Sequence, residues 1–341
     1  MKASACTISR DDGEGNVPSI DLYKVDAVRT LRGRYESWSL LRRMVVPVLF
    51  LILYFRGVVS AYARRAGKTR RERYQVFFAI SIMLLLTGYV IVLAIAAVKT
   101  VSPGALAWFP ARLFQGLVVA LTALGLWRSG LVSGLGRAAV GYTCVMGYLG
   151  FGDRRDQLVG QLIEVLDRIQ EQEDVRYQRI DVLAYSFGTI VALDAFFPRG
   201  GTPNIRLRDV DTLVLVRCPF DFIRTYWPDY FNTRSVDTNV PCTWLNFYSP
   251  TDILASNFRA DGEIGEPEQG IPTDGAPEKR RKPVNVPYGG SRSASDVGPL
   301  EFVTFMGLRS HSLYWARADE REETVFSPIV SMLYEGEPIL R

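Results

Sequence analysis

Residues 179–197 read RIDVLAYSFGTIVALDAFF, and this stretch decides the fold. Its first half is apolar and β-branched in the manner of a buried strand, whereas its second half has the apolar spacing of a helix. Ser186 stands where the two meet, with the small residues Ala184 and Gly188 two positions away on either side. A strand that turns sharply into a helix needs small neighbours, so that a serine can occupy a strained backbone position with its hydroxyl exposed. The stretch therefore predicts a nucleophile-bearing turn at Ser186.

The helix that follows this turn also predicts a role for the next residue. The first N–H groups of a helix have no carbonyl partner within the helix and carry a partial positive charge. The backbone N–H of Phe187 comes directly after Ser186. By position it is one oxyanion donor, stabilising the negative oxygen that forms when a serine attacks a carbonyl.

The sequence around the turn alternates between short strands and helices. Residues 153–174 have leucines at helical spacing, and TLVLVR (212–217) and TWLNFY (243–248) have the character of strands. Such alternation is typical of a parallel sheet covered by helices. We predict an α/β domain over residues 140–341. Within it, residues 259–299 are rich in Gly, Pro and charge, which predicts an irregular loop in the place where a lid would lie.

A serine nucleophile needs a base that accepts its proton and an acid that orients the base. In enzymes with this kind of turn the chain order is serine, acid, histidine. The sequence has one histidine, His311, and it follows Ser186 in the required order. Asp252 lies between them, two residues past Pro250 and just after a predicted strand. Asp221 also follows a predicted strand and is the alternative acid.

Composition narrows the classes of function. The chain has 341 residues, of which 48% are hydrophobic, so it can bury a core. Its 40 Lys+Arg stand against 36 Asp+Glu, a net charge of +4 that gives no basic field for nucleic acid. The four cysteines form no C-x-x-C pair, and the single histidine excludes sites that need two imidazoles. We expect no metal, no cofactor and no nucleic-acid partner.

Apolar runs in the first half of the chain predict a membrane region over residues 44–135. Residues 76–98 contain no charge, and a helix of that length covers the hydrocarbon core of a bilayer. Residues 105–127 are a second predicted span, which completes a transmembrane helical hairpin. The apolar run within residues 44–63 is shorter than that of either predicted span, so this segment is expected to be interfacial or re-entrant. If only the hairpin crosses, the arginine-rich residues 64–73 place both of its flanks in the cytoplasm, which the charge placement favours. If residues 44–63 also cross, the N-terminus lies outside.

Three segments resemble the α/β-hydrolase superfamily, and more narrowly the membrane-associated bacterial hydrolases of lipase or esterase type. They are DVLAYSFGT (181–189), SPTDIL (249–254) and SHSLYW (310–315). The resemblance implies a mostly parallel sheet with helices on both faces, into which the transmembrane hairpin is inserted. SIDLYKVDAV (19–28) is similar to an early strand of the same sheet, so the N-terminal segment 1–43 would belong to it. Relatives usually carry a second oxyanion donor on a His-Gly loop, and this chain has no histidine there.

The expected function follows from these residues and from the resemblance. It is a membrane-anchored serine hydrolase in which Ser186 attacks an ester or thioester carbonyl of a lipid or acyl substrate. His311 accepts the proton, Asp252 orients His311, and the Phe187 N–H stabilises the oxyanion. The expected location is the bacterial inner membrane, with several spans and the hydrolase domain facing the cytoplasm. The alternatives are a catalytically silent membrane scaffold or sensor and, less favoured because the two spans contain no acidic residue, a transporter or channel subunit.

Overall fold

The structure is a computed structural model of the full chain. It describes residues 5–9, 19–26, 73–77, 143–150, 152–172, 177–227, 229–232, 243–252, 254–259, 263–273 and 276–288, together with single positions elsewhere. His311 and nearly all of the predicted membrane region lie outside the described residues. The chain divides into two compact units, one formed by residues 1–27, 65–75 and 155–341 and the other by residues 28–64 and 76–154.

The described elements follow one another in the chain as a mixture of strands and helices. In order they are β1 (Ala5–Ser9), β2 (Ser19–Tyr23), α1 (Gly152–Gln170), β3 (Asp181–Tyr185), α2 (Gly188–Phe196), a 3₁₀ helix (Ile205–Asp209), β4 (Thr212–Val216), α3 (Phe220–Tyr226), β5 (Thr243–Tyr248), β6 (Ile271–Thr273), β7 (Ala276–Arg281) and β8 (Val284–Pro287).

A four-stranded parallel sheet is the centre of the first unit. Its strand order is β3-β4-β5-β8, and every neighbouring pair is parallel. All five residues of β4 are buried, as expected for an inner strand of a parallel sheet whose two faces are both covered. The predicted α/β architecture is confirmed at this level. One face of β4, β5 and β8 packs on a core cluster that consists of Val214, Val216, Leu245, Phe247, Tyr288, Tyr314, Val325 and Ile329.

The segment predicted to be an irregular loop, 259–299, contains three strands. β6 and β7 form an antiparallel hairpin, in which a methyl group at Gly270 would overlap the Arg281 carbonyl. β8 joins the main sheet beside β5, so the prediction of an irregular loop is wrong where β6, β7 and β8 form. The physical reason is that the short sequence VNVP still alternates. Val284 and Val286 pack on the core cluster, while Asn285 lies on the other face.

The N-terminal strand forms where it is predicted, but it pairs differently. β2 pairs antiparallel with β1 in a separate two-stranded sheet, with Cys6 opposite Leu22. It is therefore not a strand of the four-stranded sheet. A side-chain contact links β2 to the segment before β3, because the Tyr177 hydroxyl donates to Asp21 at 2.7 Å and lies 2.9 Å from the Tyr23 hydroxyl.

Only scattered positions of the first predicted membrane span are described. All those between residues 73 and 98 are helical. Four large apolar side chains, seven residues apart, are between 40% and 63% exposed: Phe77, Leu84, Ile91 and Val98. Among the described residues, no helix has both the length and the apolar character needed to cross a bilayer. Apart from one position in each, residues 44–63 and 105–127 lie outside the described residues.

Candidate active site

Ser186 occupies a left-handed backbone conformation between β3 and α2. Its φ is 51°, a region that L-residues other than glycine rarely adopt. Two sets of hydrogen bonds to its backbone hold it there. The Ser186 N–H donates to the Val216 carbonyl of β4 at 3.0 Å, and the Ser186 carbonyl accepts from the Thr189 N–H at 3.0 Å and from the Thr189 hydroxyl at 2.6 Å. The strand–turn–helix predicted around Ser186 is therefore present, and its strain lies at the serine itself.

The small residue after the serine is not required for space. A methyl group at Gly188 would meet no atom within 4 Å, and Gly188 does not have a positive φ. The expectation that the turn needs a small side chain here is thus not met at Gly188, because the sharp change of direction is completed at Ser186. Phe187, at φ −61° and ψ −27°, already has helical geometry and immediately precedes α2. Its backbone N–H is therefore among the first of the helix.

A buried charge cluster fixes α2 behind the serine. Asp194, on α2, lies 2.6 Å from Arg234 Nη2 and 3.4 Å from Arg155 Nε, and it accepts a hydrogen bond from the Tyr230 hydroxyl at 2.6 Å. Arg234 also donates to the carbonyl of Phe197 at the end of the helix, at 3.0 Å. Burial and the nearby carboxylate raise the pKa of Tyr230, so its hydroxyl remains a donor. The cluster restrains the helix whose first residues follow Ser186.

The carboxyl ends of the parallel strands bring Ser186 next to an arginine. Tyr185 is paired with Val216 in the sheet register, so Ser186 and Arg217 are the residues that leave two neighbouring strands. Arg217 also has a positive φ, 64°, and its N–H donates to the Phe247 carbonyl of β5 at 2.8 Å. Two strained residues therefore lie side by side at the carboxyl ends of neighbouring strands, which is where open α/β sheets bind ligands.

Asp252, the predicted acid, is fully buried beyond the end of β5 and is enclosed by donors. Its Oδ2 lies 2.9 Å from Arg217 Nε, and its Oδ1 accepts the Leu254 N–H at 2.9 Å. A side-chain hydrogen bond joins it to Tyr314, whose hydroxyl oxygen accepts the Ser249 N–H at 2.8 Å. Burial first, and then the charge of Asp252, raise the pKa of Tyr314, which keeps that hydroxyl protonated.

The guanidinium of Arg217 spans the space between β3 and Asp252. Its Nη1 donates to the Tyr185 hydroxyl at 2.7 Å, and its central carbon lies 5.5 Å from the centre of the Tyr185 ring. Burial lowers the pKa of Arg217, and the charge of Asp252 opposes that shift. Sequence reasoning did not find Arg217. The available signal was a charged residue that directly follows the apolar run LVLV (213–216).

Asp221, the alternative acid, lies in the first turn of α3 and has a different partner. Its Oδ2 accepts the Ser256 hydroxyl at 2.6 Å, and the Ser256 N–H donates to the Cys218 carbonyl at 2.7 Å. These bonds tie α3 to the chain that follows β5. Burial raises the pKa of the Cys218 thiol to about 12, which removes it as a nucleophile near neutral pH.

The structure brings the predicted acid to Tyr314, which is close to the predicted base in the sequence. Tyr314, which contacts Asp252, comes three residues after His311 in the sequence. His311 itself lies outside the described residues, so the predicted contact between His311 and Ser186 remains a prediction. In the part of the chain that is described, no three His, Cys, Asp or Glu side chains are grouped as metal ligands would be. Comparison of the chain with protein-family models, curated proteins and solved structures finds no match in any of the three.

Proposed function

We propose that the protein is a membrane-anchored serine hydrolase that cleaves an ester or thioester through Ser186. The observation that carries the proposal is the left-handed conformation of Ser186 between β3 and α2, at the carboxyl edge of a parallel sheet. Strained conformations of this kind are maintained at functional sites, where the surrounding structure offsets their cost. A nucleophile-bearing turn is the role that this geometry fits best.

The chemistry assigned to the site proceeds through an acyl-enzyme. Ser186 Oγ attacks the carbonyl carbon while His311 accepts the hydroxyl proton, and the Phe187 N–H stabilises the resulting oxyanion. Collapse of this intermediate expels an alcohol or thiol, which takes the proton from His311. Water, deprotonated by His311, then attacks the acyl group and releases the acid, restoring the serine hydroxyl.

Asp252 fits the role of the acid better than Asp221. It is fully buried and already bonded to Tyr314, and chain connectivity keeps the Cα of His311 within about 11 Å of the Cα of Tyr314. Asp221 is instead bonded to Ser256, within the packing of α3. The structural reading of Asp221 is a residue that anchors the segment after β5.

A lipid or acyl substrate and a location in the bacterial inner membrane belong to the same proposal. They are supported by the uncharged run at residues 76–98 and by the helical geometry of its described positions. They are also supported by the exposed apolar side chains, seven residues apart, from Phe77 to Val98. A bilayer holds acyl chains at high local concentration, and the arginine-rich residues 64–73 favour a cytoplasmic position for the hydrolase domain.

A catalytically silent scaffold or sensor is the second candidate, and one observation favours it. Arg217 already forms an ion pair with Asp252, so a histidine would have to share the carboxylate with a guanidinium. In a silent protein that ion pair would have only a structural role, and the Ser186 hydroxyl would not be activated.

Hydrolysis of chromogenic acyl esters and thioesters by the full-length protein in detergent tests the proposal. We expect Ser186→Ala to lower kcat at least about 10³-fold, because the acyl-enzyme cannot form. Asp252→Asn should lower kcat by a similar factor, whereas Asp221→Asn, the matched control, should lower it less than about tenfold if it folds. Turnover by Ser186→Ala at the wild-type rate would refute the proposal.

A further inference from the structure

The pairing of Arg217 with Asp252 is unusual for its burial. The side chain of Arg217 is 2% exposed and that of Asp252 is 0% exposed, with Nε and Oδ2 separated by 2.9 Å. A carboxylate in such surroundings loses its hydration and takes up a proton unless a cation stabilises its charge. Arg217 is a cationic side chain that supplies this charge.

Two contacts hold the guanidinium, and a third holds the backbone that carries it. The backbone of Arg217 is held by its bond to the Phe247 carbonyl, at a φ of 64°. Its Nη1 donates to the Tyr185 hydroxyl, and its Nε lies 2.9 Å from Asp252 Oδ2. The left-handed backbone conformation of an arginine costs about 1 kcal/mol or more. The contacts of Arg217 must offset this cost. Arg217 therefore has a defined place between the strand that leads into Ser186 and the predicted acid.

We propose that Arg217 is a positioning residue of the hydrolytic site, which keeps Asp252 ionised and its carboxylate in one orientation for the histidine base. The proposal rests on the function proposed above. An ionised acid stabilises the imidazolium that forms when the histidine accepts the serine proton, whereas a protonated acid does not. Arg217 would thus act through Asp252 without touching the substrate.

The groups that face this pair define what its pH dependence would report. Tyr185 contacts Arg217 from β3, and Tyr314 contacts Asp252 from the C-terminal segment. The raised pKa of Tyr314 keeps its hydroxyl protonated across neutral pH. The positive charge of Arg217 lowers the pKa of a nearby carboxylic acid by stabilising the carboxylate, and it lowers the pKa of a nearby imidazole by repelling the imidazolium. Removing this charge therefore raises both pKa values. The acidic limb of the activity profile should therefore move to higher pH.

The experiment compares kcat and KM for ester hydrolysis from pH 5 to pH 9 in the wild type, Arg217→Gln and Arg217→Lys. For Arg217→Gln we expect the acidic limb to move up by about one pH unit and kcat to fall at least about tenfold, with KM little changed. Arg217→Lys, which keeps the charge, should restore the position of the limb. A folded Arg217→Gln variant with the wild-type limb and kcat would overturn the proposal, as would a Lys variant whose limb matches that of Gln.

Two controls separate folding and function from positioning. Near-ultraviolet circular dichroism reports whether Arg217→Gln is folded. If it is not, Tyr185→Phe takes its place, because it removes one hydrogen bond from the guanidinium and leaves the charge. A lower kcat at unchanged KM in Tyr185→Phe would support positioning, and wild-type kcat would overturn it. Wild-type protein without Ser186-dependent hydrolysis would refute the proposed function itself, a result distinct from an unshifted profile.

Discussion

The backbone N–H of Ser186 donates to the carbonyl of Val216 at 3.0 Å, so the serine leaves β3 while it is still bonded to β4. This bond and the two from Thr189 to the Ser186 carbonyl hold the serine at a φ of 51°. The strain is therefore imposed by the sheet on one side and the helix on the other. The strained backbone fixes the position of the hydroxyl and lowers the free energy of unfolding, and this loss of stability can be measured.

Replacing Ser186 by glycine should give a more stable protein than replacing it by alanine. Glycine adopts positive φ without a Cβ penalty, whereas alanine keeps the full cost of about 1 kcal/mol. We expect the thermal midpoint of Ser186→Gly in detergent to exceed that of Ser186→Ala by about 2–4 °C. Equal midpoints would mean that Ser186 carries no strain.

Breaking the Arg217–Asp252 pair from one side should cost more than removing both partners. Arg217→Met leaves a buried charge without its cation, which destabilises by about 3–5 kcal/mol. Arg217→Met combined with Asp252→Leu leaves no charge to bury and should recover most of that loss. Urea unfolding of the wild type, Arg217→Met, Asp252→Leu and the double variant measures the coupling. A double variant whose loss equals the sum of the single losses would show that the pair is not coupled.

Asn285 should be important for stability although it lies in a segment with the composition of a loop. It is paired with Asn246 across β5 and β8, accepting the Asn246 side-chain N–H at 3.0 Å and donating to the Asn257 and Gly265 carbonyls at 2.7 and 3.0 Å. Asn285→Ala removes three partly buried hydrogen bonds that join β8 to β5 and to the segment after β5, and it should cost about 1–3 kcal/mol. Lys282→Ala, at an exposed position nearby, should change the free energy of unfolding by less than about 0.5 kcal/mol. Similar losses in both variants would contradict this assignment.

The raised pKa of the buried Cys218 thiol leads us to expect a loss of stability at alkaline pH. Burial raises its pKa from 9.0 to about 12, so the unfolded chain releases this proton before the folded protein does. The contribution is complete below pH 9 and is lost as the pH rises toward 12. Between pH 9 and pH 10 the wild type should lose about 1 kcal/mol more than Cys218→Ala. Unfolding free energies measured at both pH values check this, and parallel losses in the two proteins would contradict it.

The sequence predicted those parts of the fold that long apolar patterns specify. TLVLV and TWLNFY form β4 and β5, and the stretch around Ser186 forms β3, the turn and α2. β8 was missed because four residues with an asparagine in the middle are too short to establish a period, and its burial depends on the tertiary contacts of Val284 and Val286. β2 was identified as a strand, but its partner could not be read from its own residues.

The candidate site divides in the same way. Ser186 follows from a local pattern, and Asp252 follows from chain order, so both could be named from the sequence. Arg217 and Tyr314 could not, because an ion pair and a hydrogen bond to Asp252 depend on which residues the strand ends bring together. The bond between Asp221 and Ser256 could not be predicted either, because Ser256 lies in an irregular segment after β5. This bond distinguishes Asp221 from Asp252 as a candidate acid.

Reaction with a fluorophosphonate, followed by mass spectrometric mapping of the adduct, tests most directly whether Ser186 is an activated nucleophile. We predict one adduct per folded chain, on Ser186, which is absent in Ser186→Ala and forms at least about 10³-fold more slowly in His311→Ala. Folded wild-type protein that gains no adduct, or that is modified equally in Ser186→Ala, would contradict the account and favour the silent scaffold.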